Sequence, residues 1–189
     1  MNNYIIGIMG KKGSGKSNLI KKYMLKNMVR YIIIDTLYEY EDDRIFYNID
    51  ELYDYLKENK DRAFKIIFRP ENDNDIEILF QISKTINNYT LVIEEVDFYA
   101  DTFHINENLL YNIKYGRHFG RNIIWVSRSP YEINRFLTRQ TDLLIVFKQT
   151  EPRDIEYLNK YKFDKNIQLL GKYEYAISGD LNVFPFSKR

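Results

Sequence analysis

At 189 residues, with 44% hydrophobic and 29% charged side chains and a net charge of +1, the chain has the size and balance of a single globular domain that can bury a substantial core. It has no cysteine, which excludes disulfides and thiolate metal sites, and with His104 and His118 as its only histidines a histidine-built zinc centre is not expected. The longest apolar stretches, such as residues 143–147, fall far short of the roughly 20 residues that span a bilayer, so no transmembrane segment, no signal peptide and a cytoplasmic location are expected.

Tyr4 to Met9 is an apolar run of strand length that stops at Gly10 and opens Gly10-Lys11-Lys12-Gly13-Ser14-Gly15-Lys16-Ser17, a match to the phosphate-binding pattern G-x-x-x-x-G-K-[ST]. Small residues at this spacing let successive backbone N–H groups curl around a β-phosphate, and Gly13 and Gly15 supply the freedom. The helix that follows should aim its N-terminal N–H groups at the same phosphates. The nucleotide-binding set therefore runs from Gly10 to Asn18, with Lys16 reaching the β- and γ-oxygens of ATP and the Ser17 hydroxyl ligating Mg²⁺.

Apolar positions at helical spacing predict a helix over 17–29. Tyr31 to Ile34 reads as a strand buried on both faces that ends at Asp35, and the acidic, aromatic stretch 36–44 as a loop. A helix is expected over 49–59 with Asp50 as a possible cap, a third strand over 64–68 closed by Arg69-Pro70, and a helix over 74–88. The run 89–93 is a fourth strand that ends in Glu94-Glu95. Residues 105–116 suit a helix with Gly116 as its stop. A fifth strand over 122–126, a short helix over 132–137, a sixth strand over 143–147 and a helix over 152–160 follow. From 166 to 186 short runs broken by Gly171, Gly179 and Pro185 suggest a terminal β-hairpin or small meander.

Strands alternating with helices mean an α/β fold with a mostly parallel central sheet flanked by helices, all in one domain, 1–189. Ligands of such sheets bind beyond the carboxyl ends of the strands, where Gly10, Asp35, Arg69, Glu94-Glu95 and Ser127-Arg128 all fall. In P-loop NTPases that position holds an acid for Mg²⁺ and, in hydrolases, a second acid that orients the attacking water. Glu94 is the candidate for the metal and Glu95 for the water, with Asp97 in reserve. Arginines that meet the charge built up as the γ-phosphate departs are sought among Arg117, Arg121, Arg128 and Arg139.

Charge is unevenly placed. Residues 1–30 carry seven basic side chains and no acid, residues 71–108 sum to −8, and residues 111–139 sum to +5. Such blocks suit a polyanion site, or subunits that meet basic face to acidic face.

The succession GKKGSGKS, IIIDTLYEY, TLVIEEVD, YGRHFGRNIIWVSRSP and TDLLIVFKQTEPRD, over residues 4–158, resembles the HerA–FtsK superfamily of DNA-pumping ATPases, which includes small virus-encoded packaging ATPases. The resemblance implies a RecA-like ASCE core with a C-terminal β extension and a homo-oligomeric ring, commonly a hexamer, with active sites shared between neighbours. It also implies double-stranded DNA through the centre and a setting in the host cytoplasm or virion, at a capsid or a membrane-associated assembly. Arg117 matches the family's arginine in Gly-Arg-x-x-Gly. Where the family usually reads Gln-Arg-Pro, with the Gln sensing the γ-phosphate, this chain has Ser127-Arg128-Ser129-Pro130, which leaves the sensor open between Ser127 and Arg128; Glu94 likewise stands where Asp is usual. A P-loop nucleoside or nucleotide kinase, and a nucleotide-dependent scaffold or switch with weak turnover, are the alternatives. A GTPase is disfavoured because no N-K-x-D occurs in the chain.

Overall fold

The computed structural model describes residues 3–180. Five runs that read as buried strands form β1 (Ile5–Met9), β2 (Arg30–Ile34), β4 (Phe64–Phe68), β5 (Tyr89–Ile93) and β7 (Leu143–Phe147), and β6 spans Arg121–Ser127. With β3 (Arg44–Phe46) and β8 (Tyr175–Gly179) they make one eight-stranded sheet in the order β3-β4-β2-β5-β6-β1-β7-β8. Every pairing is parallel except that of β7 with β8.

Because strand side chains alternate, each central strand feeds two separate cores. On one face Ile32, Ile34, Phe68, Leu91, Ile93, Ile123 and Trp125 pack against α2 (Ile49–Asn59), α3 (Asp73–Ser83), α4 (Glu107–Tyr115), α5 (Arg135–Gln140) and α6 (Pro152–Leu158). On the other, Ile6, Ile8, Ile33, Val92, Ile124, Val126 and Ile145 pack against Leu19, Ile20 and Met24 of α1 (Lys16–Leu19 with its π-helical continuation Ile20–Met24). The fully buried Trp125 lies across Gly7, where a Cβ would collide with the indole ring. Among the described residues no helix is long and apolar enough to cross a membrane.

Several boundaries differ from the sequence reading. The first helix is a turn of α-helix followed by a π turn and ends at Met24, so 26–29 lie outside it. The acidic loop gives way at Arg44 to β3, a short edge strand beside β4. Helix α2 is capped by Asn48, whose side chain accepts from the Asp50 and Glu51 amides, so Asp50 is inside the first turn. Helix α4 begins at Glu107 and ends at Tyr115 with Gly116 as its C-cap, as expected, but Gly116 is right-handed and a 3₁₀ turn carries the chain on to Phe119. Gly120, at φ 69°, makes the left-handed exit, packed so closely on Asn88 that a side chain has no room. The C-terminal antiparallel pairing is made by β8 with β7, and residues 181–186 of the expected extension lie outside the described residues.

Candidate nucleotide site

Parallel pairing brings the carboxyl ends of β1, β2, β5 and β6 to one edge of the sheet, so residues far apart in sequence meet there. The glycine loop leaves β1 beside β6, with the Gly10 amide donating to the Ser127 carbonyl at 3.1 Å. Gly13 (φ 75°) and Gly15 (φ 108°) hold the left-handed backbone that the sequence pattern requires. A Cβ on Gly10 would run into Ser14 Oγ and Phe147 Cβ, which keeps the first turn of the loop tight. Lys16 is buried, and its Nζ donates to the carbonyls of Gly10 (2.8 Å) and Lys11 (3.3 Å), which folds the ammonium back over the loop. Burial pushes its pKa below the usual lysine value, against the opposing pull of Glu94, Glu95 and Glu39. Lys11, Lys12 and Asn18 are exposed, and Lys11 Nζ donates to Thr150 Oγ1.

The acids come from two neighbouring strands. Glu94 follows β5, is buried, and accepts from the Tyr40 hydroxyl at 2.5 Å. Desolvation raises its pKa to about 7, opposed by the Tyr40 hydrogen bond and reinforced by Glu39. Glu95, at φ 50°, is turned out of the strand direction and accepts from Arg128 Nε at 2.9 Å. Its pKa is also raised, first by burial, while Arg128 pulls it down. A non-glycine residue in the left-handed region carries strain of order 1–3 kcal/mol, which an active-site turn commonly holds.

Sequence reasoning missed Glu39. It sits in the loop after β2, and β2 is paired with β5, so the loop lies beside Glu94. The Ser17 hydroxyl donates to the Glu39 carboxylate. The loop is pinned through its main chain, since the Glu39 and Tyr40 amides donate to Asp35 at 2.8 and 3.2 Å and Lys21 donates to the Glu39 carbonyl. Asp35 is fully buried and pairs with Arg69 at 3.1 Å, and Arg69 also donates to the Tyr40 carbonyl at 2.6 Å. Arg69 thus braces the loop. The only advance signal for Glu39 was an acid-rich loop after a strand, and sequence order does not reveal that β2 lies next to β5.

The arginines divide. Arg121 is buried and spends its guanidinium on the carbonyls of Ile86 and Lys84 and on Asn112 and Asn87. Arg128 holds Glu95. Arg139 is exposed at the last turn of α5. Arg117 lies in the turn before β6 and bridges at 2.9 Å to Asp142, which itself accepts from the Ile5 amide at the start of β1. It therefore sits at the opposite end of the sheet from its own glycine loop, about 16 Å away along a five-residue strand. Ser127 is fully buried, and its Oγ lies 3.3 Å from the Ser129 amide that donates to it.

The residues fit a nucleoside triphosphate with its divalent ion. The loop is a cradle that side chains at Gly10 would fill, and Ser14 Oγ is a buried hydroxyl with no hydrogen-bond partner, facing the same turn. Ser17 and the carboxylates of Glu39 and Glu94 are the hard oxygen donors that suit Mg²⁺. Among the described residues no group of three or more His, Cys, Asp or Glu side chains could hold a metal ion by itself.

No protein-family model and no curated protein matches the sequence. Solved structures do match. The genome-packaging NTPase B204 of Sulfolobus turreted icosahedral virus 2, in complex with ATPγS, superposes with a TM-score of 0.76 at 24% identity, over 94% of this chain and 92% of that one. This chain has a P-loop NTPase fold. B204 of Sulfolobus turreted icosahedral virus, described as a DNA-packaging ATPase, gives a TM-score of 0.73 at 24% identity, over 94% and 93% of the two chains. EssC (ATPases 2 and 3) of Geobacillus thermodenitrificans gives 0.51 at 14% identity, covering 93% of this chain and 39% of that one. The resemblance of the sequence to small virus-encoded packaging ATPases of the HerA–FtsK type is thus matched at the level of the fold.

Proposed function

We propose that the chain is an ATP-hydrolysing motor that packages or pumps double-stranded DNA as a homo-oligomeric ring. The observation that carries the reading is the meeting, at one sheet edge, of the glycine loop with Lys16, Ser17 and three acids, in a fold shared over nearly its whole length with B204. Lys16 and the loop amides bind the phosphates. Ser17 and Glu94 would hold Mg²⁺, which would supply charge neutralisation to the phosphates.

Glu95 orients the water for in-line attack, and Arg128 sets the direction of its carboxylate. The γ-phosphate sensor is Ser127, beside the loop, or Arg128, acting through Glu95. Arg117 cannot serve the loop of its own chain and is assigned to a neighbour's γ-phosphate, for which its bridge to Asp142 has to open. The long basic block at 1–30 and the acidic block at 71–108 suit ring contacts of opposite sign.

Phosphate release from ATP tests the reading, measured with and without duplex DNA and with small nucleoside acceptors. Hydrolysis stimulated by duplex DNA supports it. Phosphoryl transfer to a small acceptor, with no DNA effect, would replace it with a kinase.

A further inference from the structure

Away from the glycine loop, Tyr131, Arg135, Arg153, Glu156, Tyr157 and Lys160 line a cavity of about 360 Å³ between the 3₁₀ turn that follows β6, α5 and α6. The basic side chains lie over aromatic faces. The Arg135 guanidinium is 3.8 Å from the centre of the Tyr157 ring and 5.4 Å from that of Tyr131. Arg153 is 5.8 Å from the Tyr131 ring, and Lys160 Nζ is 4.8 Å from that of Tyr157. Three cations thus share a wall with one acid.

None of the three is in an ion pair, the pairs among the described residues being Arg69–Asp35, Arg117–Asp142 and Arg128–Glu95. Arg135 Nη1 is buried with no hydrogen-bond partner. A buried guanidinium N–H left without an acceptor is costly, and phosphate oxygens are the acceptors that guanidinium geometry fits best. The rings are fixed from behind. Tyr157 Oη is within hydrogen-bond distance of Thr138 (2.7 Å) and Tyr161 (3.0 Å). Asp154 clamps the turn to α6 by accepting from Ser129 Oγ at 2.8 Å and the Tyr131 amide at 3.1 Å. The cations therefore meet a ligand on a rigid platform, and little ordering cost falls on binding.

We propose that this cavity binds the phosphodiester backbone of a nucleic acid strand, with Arg135 deepest and Arg153 and Lys160 on neighbouring phosphates. A single triphosphate fits less well. It calls for clustered backbone amides, as in the glycine loop, whereas Arg153 lies in the first turn of α6 and Lys160 in the turn past its end. The Tyr131 ring, 42% exposed, adds sequence-tolerant contact surface for a sugar, while the buried Tyr157 serves as the support under Arg135. The same turn starts three residues after Ser127, so the cavity opens at the end of the sheet that carries the nucleotide site. The identity of the ligand as DNA rests on the motor reading, while the cation cluster stands without it.

The test uses the full chain and a labelled duplex of mixed sequence, with affinity followed across roughly 50 to 200 mM salt. Arg153→Gln with Lys160→Gln, both exposed positions, should weaken binding at least tenfold at the low-salt end. It should also flatten the plot of log affinity against log salt by about 2, roughly 0.9 for each lost phosphate contact. ATP hydrolysis without DNA should stay at the wild-type rate. Arg135→Gln should add to the loss, with thermal unfolding separating a binding effect from lost packing on Tyr157. An unchanged salt slope in the double variant overturns the proposal. So does a fall in DNA-free hydrolysis, since the cations would then serve a neighbour's nucleotide. A wild-type chain that binds duplex with this slope but does not hydrolyse ATP would refute the motor reading and leave the site standing.

Discussion

Replacing Glu94 by Gln should remove the share of the pH dependence of stability between pH 4.5 and 7 that this carboxyl carries, in the absence of nucleotide and divalent ions. Burial raises this carboxyl from 4.5 to about 7, so between those values the folded chain holds a proton that the unfolded chain has released. The contribution of Glu94 to stability is therefore fully present below pH 4.5 and is lost as pH rises through 7. A displacement of about 2.5 pH units, at about 1.4 kcal/mol each, amounts to about 3 kcal/mol. The side chain is nearly fully buried, so solvent screening removes little of this. Gln is neutral throughout and its carbonyl can still accept from Tyr40, so Glu94→Gln should be the more stable protein above pH 7, by up to about 10 °C in Tm for a chain of this length. Thermal unfolding in EDTA at a series of pH values measures it. Equal pH slopes in the two proteins, or a wild type that gains stability from pH 5 to 7, would refute the burial of an unpaired acid at this position.

Glu39→Gln should leave the loop after β2 in place, because its main chain makes the anchoring bonds, yet raise the Mg²⁺ concentration needed for half-maximal hydrolysis by about tenfold, since it removes one charged oxygen donor beside Ser17; an unchanged Mg²⁺ dependence would make the Ser17 contact incidental. Arg117→Ala should keep nucleotide binding and lose hydrolysis by roughly 10³–10⁵. Mixing it with Lys16→Ala subunits should restore part of the activity, and no recovery in confirmed mixed rings would reject a finger acting between subunits. Gly7→Ala should cost about 1–3 kcal/mol by forcing a methyl into the Trp125 ring, read as a fall in Tm of several degrees; an unchanged Tm would mean that the strand shifts freely.

The glycine loop was legible because its backbone leaves few alternatives: glycine takes the left-handed angles at positions 13 and 15 without strain, and Lys16 and Ser17 have fixed places after it. The central strands were legible because burial on both faces demands unbroken apolar runs, and the runs at 31–34, 89–93 and 143–147 are of that kind. Strand β3 was not, since three residues at a sheet edge need no such run, and Arg44 is exposed there. The cap of α2 was misplaced by two residues because Asn48 and Asp50 are both side chains suited to an N-cap, and the sequence does not say at which of them the helix begins. Glu39 was hidden for a different reason, in that its partner Ser17 comes from another strand's loop and the order of strands in the sheet is not written in the sequence. Of the cations over Tyr131 and Tyr157, Arg135 was visible only as part of the basic block 111–139, and Arg153 and Lys160 lay outside any block.

Displacement of a third strand from a triplex on linear duplex DNA tests the motor reading most directly, because it registers movement along the duplex rather than binding or hydrolysis. The wild-type chain should release the strand with ATP and Mg²⁺, at a rate that falls with distance from the loading end, and Lys16→Ala and Glu95→Gln should not. Hydrolysis stimulated by DNA without any release of the third strand would contradict it.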